Sequence, residues 1–76
     1  MATKREELAD PNSCFNKAGD DEPVFVLRAK DRVAPAVVRD WAHRAKGAGV
    51  HDDEKVKEAM DHALRMEEWR AKNVRA

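Results

Sequence analysis

The densest group of side chains able to do chemistry lies in the middle of the chain. From Arg28 to Lys46 there are six cations, Arg28, Lys30, Arg32, Arg39, Arg44 and Lys46, against two anions, Asp31 and Asp40, with Trp41 among them. A guanidinium pairs bidentately with phosphate, and an indole face offers a stacking wall or a cation–π partner. Arg28, Arg39, Trp41, His43 and Arg44 are therefore the candidate ligand-binding residues, and the ligand class they suit is a small anion such as a linear or cyclic nucleotide. Arg39 and Arg44 stand five residues apart, about 140° around a helix axis. Both reach one small ligand only at a seam with a neighbouring helix or chain. The same residues also suit a plain solvated charged face.

Other chemistries fit the chain less well. DNA recognition by a helix, a turn and a second helix would bring Asp52, Asp53 and Glu54 towards phosphates that repel them. The chain has one serine, one threonine, one cysteine and no tyrosine, and no short motif sets a nucleophile beside a base, so no enzyme is expected. Cys14, beside Phe15, reads as a small packed apolar residue rather than a nucleophile paired with His43 or His62. The acidic pairs Asp20/Asp21 and Asp52/Asp53 read as helix caps rather than as general acids or metal ligands. With His43, His51 and His62 scattered, no ligand spacing specifies a metal, and no cofactor is expected.

These residues need elements to position them. Pro35 sits in a first turn, and Val37, Val38, Trp41, Ala42 and Ala45 follow at helical spacing, so a helix is predicted from about Ala34 to Lys46, ended by Gly47, Ala48 and Gly49. A longer helix follows, capped by Asp52 and Asp53, with Val56, Ala59, Met60, Ala63, Leu64, Met66 and Trp69 along its stripe. Upstream, Ser13 and Gly19 bound a short helix over 14–18. The run Asp20-Asp21-Glu22-Pro23 predicts a further short, buried helix reaching about Lys30. The apolar run Val24-Phe25-Val26-Leu27 also has strand propensity, but the chain offers no second strand, so only pairing across a dimer would make it one. Residues 1–11 carry little apolar content and are expected to be mobile, leaving 12–76 as a single helical domain.

The fold class expected is all-α, a small three- to four-helix cluster completed by oligomerisation. A chain of 76 residues buries only about 60% of its unfolded surface, a single cysteine permits no internal disulfide, and much of the apolar content is alanine and valine. Trp41 and Trp69 are expected in the core of so thin a structure. Fifteen basic and fifteen acidic residues cancel, so no global field draws the chain to nucleic acid or membrane. No apolar run of signal-peptide or membrane-helix length appears, and a cytoplasmic location is expected.

Three stretches also carry a resemblance: Cys14-Phe15-Asn16-Lys17-Ala18, then Asp21-Glu22-Pro23-Val24-Phe25-Val26-Leu27-Arg28-Ala29-Lys30-Asp31, then Ala34-Pro35-Ala36-Val37-Val38-Arg39-Asp40-Trp41-Ala42. With the ending Met66 to Trp69 they span roughly residues 12 to 69, and together they resemble a pattern in small accessory proteins encoded by tailed phages and prophages. That resemblance implies a phage accessory role, which admits inhibitors and ligand sponges directed at bacterial defence. The function expected is nonenzymatic binding and sequestration of a host component or an anionic nucleotide signal. A protein–protein inhibitor or structural adaptor is the alternative, and a DNA-binding regulator a more distant one.

Overall fold

A computed structural model describes residues 2–49 and 51–74. Four helices follow in order, α1 (Lys4–Ala9), α2 (Cys14–Lys17), α3 (Ala34–Ala48) and α4 (Asp53–Asn73), with no strand among the described residues. The all-α class expected from the sequence is what the chain adopts.

The two long helices form an αα-hairpin. Asp52 caps α4, its side chain accepting from the Lys55 amide at 2.8 Å, and Asp53 and Glu54 place negative charge at the positive end of the helix dipole. At the other side of the turn, Gly49 takes the left-handed conformation (φ 67°), and its amide donates to the carbonyls of Ala45 and Lys46. Between the helices, Ala34, Val38, Ala42 and Ala45 face Val56, Ala59, Ala63 and Met66, at spacings of three and four that keep one narrow seam on each helix. Ala34, Ala42, Ala59 and Ala63 are wholly enclosed. A seam of methyl groups brings two helices close, with Met66 at its end as a larger enclosed side chain.

That geometry corrects the expected core. Trp41 is 36% exposed and Trp69 47%, while Val37 and Leu64 lie open on the flanks of the hairpin. The broad stripe legible in the sequence is buried only along its alanine edge, because α3 and α4 supply each other with one contact face and no third long helix covers the rest.

Upstream, α1 forms over residues whose apolar content predicts no packed element. Thr3 and Glu6 build a capping box: the Thr3 hydroxyl accepts from the Glu6 amide, and the Glu6 carboxylate accepts from the Thr3 amide and hydroxyl. α2 begins at the predicted place, with Ser13 as its cap. Cys14 and Phe15 are exposed, which overturns the reading of Cys14 as a packed apolar residue.

The largest departure is the helix expected from Asp20 to Lys30. Residues 22–28 are neither helix nor strand, and Val24, Phe25 and Val26 are 54%, 85% and 63% exposed. Among the described residues, neither Asp20 nor Asp21 caps a helix. The Glu22 amide instead donates to the Gly19 carbonyl in a turn, and Pro23 then disfavours the α region for its predecessor. The β-branched and aromatic run Val24-Phe25-Val26 has low helix propensity and nothing to pack against.

The consequence is an open molecule. Its radius of gyration is 13.1 Å, where a compact chain of this length has about 11 Å. It exposes 6439 Å², against about 4,700 Å² for a compact monomer of 8.6 kDa.

Candidate functional site

Helix α3 presents its charged side chains on two flanks of the alanine seam, and α4 or α3 itself answers both candidate arginines. Arg39 donates to the Glu67 carboxylate across the hairpin. That hydrogen bond holds the Glu67 carboxyl below its ordinary range and raises the guanidinium further. Arg44 donates through Nε to Asp40 at 2.8 Å, one turn back along the same helix. A phosphate at either position meets a guanidinium whose charge is already partly answered by a carboxylate. His43 is exposed and faces solvent.

Trp41 meets His51 from the turn between the long helices, with ring centroids 5.2 Å apart and planes inclined by 45°. This tilted pair ties α3 to the turn and occupies part of the indole that was expected to serve as a stacking wall. Arg28 lies elsewhere, lining an open hollow of about 310 Å³ with Val26, Lys30 and Asp31. Among the described residues no hydrogen bond, ion pair or ring contact joins any two of Arg28, Arg39, Trp41, His43 and Arg44. The five candidates are distributed over three places rather than assembled in one pocket.

No family model matches the chain, and no curated protein or solved structure proves similar to it. Its chemistry must therefore be read from its own residues. Among the described residues, no group of three or more His, Cys, Asp or Glu side chains is placed to hold a metal ion, and no helix is long and apolar enough to cross a membrane.

Sequence reasoning passed over two features. Asn16 donates its side-chain amide to the carbonyls of Glu7, Leu8 and Asp10 at 2.8, 3.0 and 2.9 Å, closing the C-terminus of α1 from α2. Beside it, the buried Ser13 donates to the Glu7 carbonyl at 2.7 Å while accepting from the Asn16 amide at 3.1 Å. The second feature is His62 on α4, whose Nδ1 is enclosed without a hydrogen-bond partner among the described residues. Burial pushes its pKa below the ordinary histidine value, Arg65 lowers it further, and Glu7 and Glu6 of α1 oppose the shift. The Thr3-x-x-Glu6 spacing announces a capping box in the sequence, and Ser13 an N-cap. Nothing in the sequence alone reveals that α1 would lie near His62.

What the arrangement offers a ligand is chiefly surface. Phe25, Val24 and Val26 on the irregular segment 22–28, and Trp41, Leu64 and Trp69 on the hairpin flanks, are large apolar groups open to water.

Proposed function

We propose that this chain is a nonenzymatic accessory protein of the phage type, acting in the cytoplasm of a host cell as a homo-oligomer, and that it binds and sequesters a host polypeptide in counter-defence. The observation that carries the binding reading is the excess of exposed surface, about 1,700 Å² beyond a compact chain of this mass, with large apolar side chains within it. A stable interface takes about 800 Å² from each partner, so the chain has enough for self-association and for one further partner. The phage role and its direction against host defence rest on the sequence resemblance alone.

The ion pairs Arg39–Glu67 and Arg44–Asp40 turn the balance from an anionic ligand towards a polypeptide. A second reading, sequestration of an anionic nucleotide, is favoured by one observation: Arg28 and Lys30 line the same hollow, beside the apolar Val26, and neither makes an ion pair among the described residues. Calorimetry of the full chain against linear and cyclic nucleotides separates the two. The polypeptide reading expects no heat from any of them, together with recovery of one defined host protein on the immobilised chain. Binding that is abolished by Arg28→Ala with Lys30→Ala would overturn it in favour of the nucleotide.

A further inference from the structure

The segment 20–30 has a charge and burial pattern that fits a second copy of itself. It opens with Asp20, Asp21 and Glu22, passes through the apolar Pro23 to Leu27, and closes with Arg28 and Lys30. Acids stand at one end, cations at the other and apolar residues between, so two copies laid antiparallel set each acidic end against a basic one. Arg28 and Lys30 make no ion pair among the described residues, nor do Asp20 and Asp21. No backbone hydrogen bond engages the amides of Val24, Phe25, Val26 or Leu27 among the described residues, and Phe25 projects almost wholly into water. A stretch outside any helix, with free amides and an exposed aromatic, is open to strand pairing.

We infer that two copies of this chain associate by antiparallel pairing of their segments 22–28 across a twofold axis at Phe25. This specifies the surface for the self-association in the reading above and rests on that part of it alone. In the Phe25-centred register each Glu22 opposes the partner copy's Arg28 and each Val24 its Val26. Direct opposition puts paired residues on one face of the ribbon, so Glu22, Val24, Val26 and Arg28 form an outer face closed by an ion pair at each end.

The inner face carries Pro23, Phe25 and Leu27. Leu27 is already half-buried, while Val26 and Arg28 on either side of it are exposed. With the Phe25 pair at a non-hydrogen-bonded position, the ladder runs through Val24 and Val26 and asks no amide of Pro23. Shifting the axis to Val26 would set Val24 against Arg28 within the same segment, a mismatch that the Phe25 register avoids.

A two-stranded ribbon alone is marginal, and the hairpins behind it supply the cover. The surface exposed beyond that of a compact chain is about twice what each partner contributes to a stable dimer, so the area suffices. A twofold contact of this kind closes on itself.

Sedimentation equilibrium of the full chain, from low micromolar to near-millimolar concentration, tests the pairing. The expected mass at the upper end is twice 8.6 kDa. Phe25→Asp should raise the dissociation constant about 100-fold while leaving the helical circular dichroism unchanged, since each dimer loses two buried rings. Glu22→Arg should weaken association about tenfold, because the symmetry repeats the repulsion twice, and adding Arg28→Glu to the same chain should restore it.

A chain that stays monomeric throughout, a dimer indifferent to Phe25→Asp, or a double charge reversal no better than the single one would overturn the inference. So would a monomer that uses Phe25 to hold a different polypeptide, although the sequestration reading would then survive. A Phe25-dependent dimer that retains no host protein and no nucleotide would sink that reading and leave the pairing intact.

Discussion

Between α1 and α2 the bonds that hold one helix to the other are polar. The Asn16 amide spans three carbonyls, the Ser13 hydroxyl a fourth contact, and neither helix contributes a buried residue of its own. Between α3 and α4 the contact is a seam of alanine methyl groups with Met66 at its end, and the ion pair Arg39–Glu67 lies outside it. Hydrogen bonds exchanged with water return little net stability, about 1 kcal/mol each, but they demand defined directions. Apolar contact is indifferent to direction and sensitive to volume. The N-terminal pair should therefore tolerate changes of size and fail on loss of a donor, and the hairpin should do the reverse.

The strongest way to break that contrast is to enlarge the seam. Ala63→Leu adds a branched side chain to a wholly enclosed position and should cost about 1–3 kcal/mol in urea denaturation followed by circular dichroism, with the entire helical signal lost earlier. A variant as stable as the parent would show that the helices can separate to admit it.

Next in size is Asn16→Asp, nearly isosteric but unable to donate when ionised. It should destabilise α1 by about 1 kcal/mol, read as faster hydrogen exchange of the amides of α1 with those of α4 unchanged. Equal acceleration along α4 would mean that the two regions fold as one unit.

His62 probes the junction between them. Its pKa is lowered by burial in the folded chain, so below the unfolded value, about 6.5, the unfolded state binds protons first. Stability is fully present above that pH, falls as the pH drops through the window down to the folded pKa, and levels off below it. Thermal melts across this window should show the decline in the parent and not in His62→Gln. An unchanged decline in the variant would remove His62 as its source.

The smallest effect belongs to Glu67. Its carboxyl is held below the usual range by Arg39, so the contribution of the pair is present above the unfolded carboxyl value and lost as the pH falls through the folded one. Both side chains are substantially exposed, so Glu67→Gln should lower the melting temperature slightly at neutral pH and not at all in strong acid. A large loss at neutral pH would place the ion pair among the main supports of the hairpin.

Local signals carried much of the fold. Helical spacing and the end residues Asp52 and Gly49 were enough to place α3 and α4, because caps and left-handed glycine act through neighbouring backbone groups. Thr3 and Glu6 hold an equally local pattern that marks the start of α1, and Ser13 marks that of α2. The segment 20–30 defeats that logic: its cap-like acids and proline met a β-branched run with no neighbour to bury it, and propensity without a packing partner does not make a helix.

The sequence by itself determined the two long helices, their short connection and the chemical types in the basic stretch. Which edge of each stripe is buried, that both tryptophans stand at the margin, and that Arg39 and Arg44 meet carboxylates were decided by tertiary structure. Those outcomes depend on how closely the alanine edges of α3 and α4 approach and on which residues of α4 then come within reach of α3, distances that no periodicity along one chain encodes.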